Sequence, residues 1–224
     1  MQQFKQDMIE FLVRAGALKF GDFTTKSGRQ SPYFINAGSF RTGSQISKLG
    51  EFYAECINDA IGDSFDIMFG PAYKGITLAS AATAAVYRKF GWDKEFCFNR
   101  KEIKSHGEGG QFIGAELIGG KRVIIIEDVI TAGTAVRETV PLIKNAASVS
   151  LEHMFIIADR LEIGYNGKTA PQEVLEEFGI HVHSIVNVRE IIDYLFNREI
   201  DGAVVLGDDQ RDKMERYLEM YCVV

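Results

Sequence analysis

Residues 123–126, Val-Ile-Ile-Ile, offer an apolar side chain to both faces of any strand they form, and Glu127 and Asp128 follow with no spacer. A strand with one wet face alternates polar and apolar residues. An uninterrupted apolar run marks a parallel strand covered by helices on both sides. The rest of the chain agrees with such a sheet. Apolar residues at helical spacing from Phe4 to Ala15 predict an opening helix, and Leu18 to Phe40, dense in Phe, Thr, Tyr and Gly, predicts short antiparallel strands. Beyond them, helices at 44–61 and 76–90 alternate with strands at 65–69 and 96–99. A polar, glycine-rich loop is expected from Arg100 to Phe112. After the central strand come further strands at 153–158 and 180–186, and helices at 171–178, 188–196 and 208–221. This is the pattern of an α/β, doubly wound, mostly parallel sheet with a small N-terminal β-rich layer, expected as one domain over 1–224.

The bulk properties narrow the function. Lys and Arg number 25 against 31 Asp and Glu, a net charge of −6, so no basic face for duplex nucleic acid is expected and an anionic ligand must meet a local basic cluster. Cys56, Cys97 and Cys222 are widely spaced and form no CxxC pair, which indicates neither a disulfide framework nor a structural zinc site. The charged residues among the first twenty leave no apolar core for a signal peptide. A soluble cytoplasmic protein without a membrane partner is expected.

The segment after the central strand, Glu127-Asp128-Val129-Ile130-Thr131-Ala132-Gly133-Thr134-Ala135, carries the chemistry. Ligands of such sheets bind beyond the carboxyl ends of the strands, and small residues there let backbone N–H groups and a helix N-terminus approach a phosphate. Two carboxylates beside a phosphate would repel it unless they faced donors, and a ribose diol offers two. A phosphorylated ribose satisfies both halves. Dinucleotide and P-loop motifs fail: GxGxxG is absent, and around Gly119-Gly120-Lys121-Arg122 the Gly and Ser/Thr of a P-loop are replaced by Ala115 and Arg122. Pro141, lacking an N–H, is expected to kink the helix that follows.

Val123 to Ala135 resembles the phosphoribosyl pyrophosphate signature of the type I phosphoribosyltransferases, and three further segments match the orotate branch of that family. Phe20 to Asn36 resembles its hood, here residues 1–40, which implies Lys26 as a pyrophosphate ligand and Phe34 over the orotate ring. Ile35 stands where the family has a second aromatic and is left with backbone and packing contacts. Gly70-Pro71-Ala72-Tyr73-Lys74-Gly75 resembles the pyrophosphate loop, with Tyr73 and Lys74 as ligands and a cis Ala72–Tyr73 peptide. Arg100 to Gly107 resembles the flexible catalytic loop, with Arg100, Lys101, Lys104 and His106 as its working groups. Arg160 stands where the family binds the orotate carboxylate, a role that suits a planar guanidinium fork.

The resemblance implies displacement at the ribose anomeric carbon by N1 of orotate, with pyrophosphate leaving. Lys101, Lys104, His106 and Asp128 would be catalytic. Glu127, Asp128 and the loop Val129, Ile130, Thr131, Ala132, Gly133, Thr134 and Ala135 would hold the phosphoribosyl group, and Thr131 would also touch orotate. Magnesium is expected to ride on substrate oxygens and water, with no dedicated protein ligands. A homodimer with shared active sites is implied. Arg100, Lys104 and His106 would act across it, whereas Lys26, Lys101, Glu127, Asp128 and Arg160 would serve their own subunit. His153, His181 and His183 fall in strand-like stretches and read as structural. A phosphoribosyltransferase for another base would share 123–135 without needing Phe34 and Arg160 together. A non-catalytic regulator would show an appended DNA-binding segment or a degraded basic loop, and neither is seen.

Overall fold

The computed structural model describes residues 1–25, 28–104, 110–130, 133–164 and 166–223. In chain order its elements are α1 (Gln3–Arg14), β1 (Leu18–Thr24), β2 (Gln30–Ile35), α2 (Gly43–Ala60), β3 (Ile67–Gly70), α3 (Lys74–Phe90), β4 (Glu95–Lys104), β5 (Gly110–Gly114) and β6 (Arg122–Ile126). They continue with α4 (Thr134–Ala146), β7 (Ser150–Asp159), α5 (Ala170–Phe178), β8 (His181–Asn187), α6 (Val188–Leu195), β9 (Glu199–Ile200), β10 (Ala203–Val204) and α7 (Asp208–Tyr221). They gather into two compact units, one of residues 46–157 and 170–185, the other of 1–45, 158–169 and 186–224. Among the described residues, no helix is long and apolar enough to cross a membrane.

The first of these units is built on a six-stranded sheet in the order β5-β4-β3-β6-β7-β8. β3 pairs in parallel with both β4 and β6, and β6 in parallel with β7. From β3 the chain moves outward to β4 and β5 and then returns to lay β6 on the opposite flank of β3. The strand order therefore reverses between β3 and β6, and a doubly wound sheet opens a crevice at the carboxyl ends of the strands at such a point. Val123 to Ile126 are at most 2% exposed, as a strand covered on both faces requires. They share a core with Ile67, Phe69, Val140, Ile143 and Ile156. α4 continues through Pro141 to Ala146.

One expectation is corrected here. The stretch from Arg100 to Phe112 is not a loop throughout: β4 runs on to Lys104, and β5 returns beside it antiparallel, pairing Cys97 with Gly114, Phe98 with Ile113 and Lys104 with Gly110. Arg-Lys-Glu-Ile-Lys lacks the apolar alternation by which a strand is recognised. Backbone bonding to β5 at the sheet edge makes it one all the same.

In the other unit, β1 and β2 form the antiparallel N-terminal pair, matching Leu18 with Ile35, Phe20 with Tyr33 and Thr24 with Gln30. α1 buries Met8, Ile9 and Leu12. Its polar side bonds elsewhere in the unit, Lys5 to Glu190 at 2.7 Å and Arg14 to Asp201 at 3.1 Å. α6 starts with a capping box in which Asn187 and Glu190 bond each other's backbone N–H. The small β9–β10 pair was not anticipated, because two-residue strands carry no periodicity to detect.

Candidate active site

In the sheet unit, Glu127 and Asp128 continue the β6–β7 ladder past the last strand residue. Glu127 N–H donates to the Phe155 carbonyl at 3.0 Å, and Ile157 N–H donates to the Asp128 carbonyl at 2.8 Å. Both acids are thereby fixed on strand-like backbone at the crevice. The buried Tyr53 hydroxyl locks the turn, donating to the Glu127 carbonyl at 2.6 Å. Burial drives the Glu127 carboxyl up to about 7, against the Asp128 N–H that donates to it at 3.0 Å. Asp128 is held differently. Lys74 Nζ donates to its Oδ2 at 2.6 Å, and Val129 N–H donates to its Oδ1 at 2.8 Å.

Lys74 is placed by the loop after β3, where the backbones pack so closely that only glycine fits. A Cβ on Gly70 would stand 2.1 Å from the Gly75 carbonyl oxygen, and one on Gly75 would stand 2.7 Å from Pro71 Cδ and 3.0 Å from the Ile126 carbonyl oxygen. The Ala72–Tyr73 peptide is cis, as the resemblance implies, and Ala72 N–H donates to Asn99 Oδ1 at 2.9 Å. Tyr73 stands 72% exposed. A cavity of about 200 Å³ opens here, lined by Ala72, Asn99, Arg100, Lys101, Glu127 and Thr139 among others. Arg100 Nε is buried without a hydrogen-bond partner among the described residues, an arrangement that suits an anion. Arg100 is thus among the residues that line this cavity. Gly133 caps α4 with φ of 69°, a left-handed conformation that L side chains rarely adopt. Among the described residues no three of His, Cys, Asp and Glu stand together as a cation site.

In the other unit the buried Arg160 is held on three sides. Its Nε and Nη2 both donate to Glu162 Oε1, at 2.8 and 2.5 Å, and Nη2 also reaches Ser31 Oγ at 3.3 Å. The Tyr33 ring lies under the guanidinium at 4.4 Å. Nη1, unlike Nε and Nη2, makes no hydrogen bond to a described residue. Phe34, on the same strand as Tyr33, is 42% exposed and stacks on Phe23 at 5.6 Å, whereas Ile35 is buried.

Of the other expected residues, Val129, Ile130 and Ala135 sit between β6 and the first turn of α4. Lys26, His106, Thr131 and Ala132 lie outside the described residues, as do the side chains of Lys104 and Thr134. Tyr53, Asn99 and Glu162 were not singled out from the sequence. Only Glu162 carried a local signal, a carboxylate two residues from Arg160.

Residues 38–163 match the model of the phosphoribosyl transferase domain, and the chain belongs to that family. Such a fold carries more than one base specificity: the adenine phosphoribosyltransferase of Saccharomyces cerevisiae is similar in fold alone, at 15% identity and a TM-score of 0.55 over 83% of this chain and 99% of that one. The curated relatives are more specific. An orotate phosphoribosyltransferase of Clostridium acetobutylicum is 47% identical over 100% of both chains, and one from Clostridium beijerinckii is 43% identical over 99% of both. The crystal structure of the orotate phosphoribosyltransferase of Francisella tularensis matches with a TM-score of 0.83 at 35% identity, over 97% of this chain and 100% of that one. Within the family, the chain's place is among the orotate phosphoribosyltransferases.

Proposed function

We propose that the chain transfers the phosphoribosyl group of 5-phosphoribosyl 1-pyrophosphate to N1 of orotate, giving orotidine 5′-phosphate and pyrophosphate in de novo pyrimidine (UMP) synthesis. The observation that carries the assignment of roles is the Glu127–Asp128 pair fixed at the sheet's reversal point beside the glycine-packed Lys74 loop. The N1 lone pair forms the new bond to the anomeric carbon as the bond to pyrophosphate breaks, with the bonding electrons leaving on oxygen. Glu127 and Asp128 accept from the ribose hydroxyls and face the positive charge that develops on the ring. Lys74 leaves Asp128 for pyrophosphate, joined by Tyr73, Arg100, Lys101, Lys104, His106 and Lys26. The loop from Val129 to Ala135 receives the 5-phosphate at the α4 N-terminus, Phe34 and Ile35 cover the base, and Thr131 and Arg160 meet its polar edge.

Magnesium would be held mainly by the substrate's pyrophosphate oxygens and by water, and when bound it would supply positive charge to those oxygens. Residues 1–40 act as a hood in a single catalytic domain of a cytoplasmic homodimer. The test is absorbance on mixing protein, magnesium, phosphoribosyl pyrophosphate and orotate. No change at micromolar protein, or equal turnover of uracil or adenine, overturns the reading.

Two results are expected. Ribose hydroxyls donate best to an ionised carboxylate, and Glu127 is pushed up to about 7 in the free protein. Binding must then expel its proton, so affinity for phosphoribosyl pyrophosphate falls as pH drops below 7, approaching about tenfold per unit for this one group. Glu127→Gln flattens that part of the calorimetric binding profile, beyond what the ligand's own phosphates contribute. The second result concerns sharing of sites, with Lys104 and His106, together with Arg100, acting across the dimer. Lys104→Ala and Arg160→Leu homodimers are each nearly inactive, but random exchange makes about half the dimers mixed, each with one intact site, so activity returns to about a quarter of wild type. No recovery after verified exchange places Lys104 in its own subunit's site.

A further inference from the structure

Arg160 is supported by a part of the chain that the reaction itself does not touch. Glu162 Oε1 accepts not only from Arg160 Nε and Nη2 but also from the Tyr217 hydroxyl, at 2.6 Å. Tyr217 lies in the last part of α7, and the residues after it bind the backbone around Glu162. Ile163 N–H donates to the Tyr221 carbonyl at 2.8 Å, and Val223 N–H donates to the Leu161 carbonyl at 3.0 Å. Between Arg160 and Glu162 the chain turns through Leu161, whose φ of 56° is secured by its N–H donating to Asp159 Oδ1 at 2.8 Å. The Tyr33 ring that carries Arg160 meets the Tyr217 ring edge-on at 6.0 Å.

We propose that Tyr217 is a positioning residue, which acts through Glu162 to aim the open Nη1 end of Arg160 and so sets discrimination in favour of a base bearing a carboxylate. A guanidinium recognises a carboxylate only when its fork lies in the carboxylate's plane. One edge of this fork is fixed by a single oxygen of Glu162, and Tyr217 holds that oxygen in place. The other oxygen, Oε2, lies 3.8 Å from Arg29 Nη1, so a Glu162 released by Tyr217 has a competing cation to turn toward. The inference rests on the reading of Arg160 as the orotate ligand.

Tyr217→Phe keeps the ring and removes only the hydroxyl. It is expected to raise the Michaelis constant for orotate about fivefold, the loss of part of one hydrogen bond to a charged group, while that for phosphoribosyl pyrophosphate stays within about twofold. Glu162→Gln, which keeps the shape and loses the charge, should raise the orotate constant further and serves if the first variant folds poorly. The decisive measurement is the same substitution made on Arg160→Leu, where there is no fork left to aim and Tyr217→Phe should add nothing. If Arg160→Leu raises the orotate constant selectively but Tyr217→Phe does not, or if the two effects simply add, positioning is refuted and the Arg160 assignment stands. If Arg160→Leu affects both substrates alike, the assignment itself fails and takes the inference with it.

Discussion

Arg160→Leu should raise the Michaelis constant for orotate by roughly 30- to 1000-fold and leave that for phosphoribosyl pyrophosphate nearly unchanged. The figure follows from loss of a charge-assisted pair with the substrate carboxylate, worth about 2 to 4 kcal/mol where the partners are desolvated. Arg160 is buried, and its neighbours leave Nη1 without a bond to any described residue, so a carboxylate arriving there meets a donor already stripped of much of its water. Leucine matches the bulk of the side-chain stem and supplies no donor. It also deprives Glu162 of its nearest cation, so the variant's thermal midpoint must be measured beside its kinetics. A variant that is folded and equally impaired toward both substrates would remove Arg160 from base recognition.

The second large effect is structural and is expected at Gly70. An added Cβ would lie 2.1 Å from the Gly75 carbonyl oxygen and 2.8 Å from Ala79 Cβ, distances that no rotamer change relieves because the nearest obstacle is backbone. Either β3 or the start of α3 must move, and Gly70→Ala should destabilise the protein by about 3 kcal/mol or more. Any molecule that stays folded should bind pyrophosphate poorly, since the same displacement carries Lys74 and the Ala72 N–H with it. Gly119→Ala is the control. Its Cβ would approach nothing nearer than the Ser148 carbonyl oxygen at 3.7 Å, and about 0.5 kcal/mol or less is expected. Unchanged melting and turnover in Gly70→Ala would mean that the loop is slack and that its close packing does not position Lys74.

The fold was legible wherever burial leaves a periodic trace. Val123 to Ile126 show no alternation because both faces are covered, and the helices other than α4, for which no bounds were set, fall within a few residues of their expected bounds. What escaped detection depends on partners distant in sequence. The β4–β5 hairpin is held by backbone bonds at a sheet edge, to which charged side chains give no clue. Tyr53 reaches Glu127 across 74 positions and Tyr217 reaches Glu162 across 55, and nothing near either tyrosine hints at the contact. Glu127 and Asp128 drew notice by their place directly after the central strand, and Lys74 and Arg160 through the resemblance to the family. The groups that hold these side chains still are constrained only by shape.

The surroundings of Arg160 come from three separated stretches: Ser31 and Tyr33 near the start, Glu162 beside it, and Tyr217 with Tyr221 and Val223 near the end. Contacts so distant along the chain form late, after the entropy of closing long loops has been overcome. During synthesis a ribosome will have released the end of β6 and the acids that follow it well before Tyr217 exists. A nascent chain can thus assemble the central strands of its sheet while the surroundings of Arg160 stay unfinished until the final helix emerges.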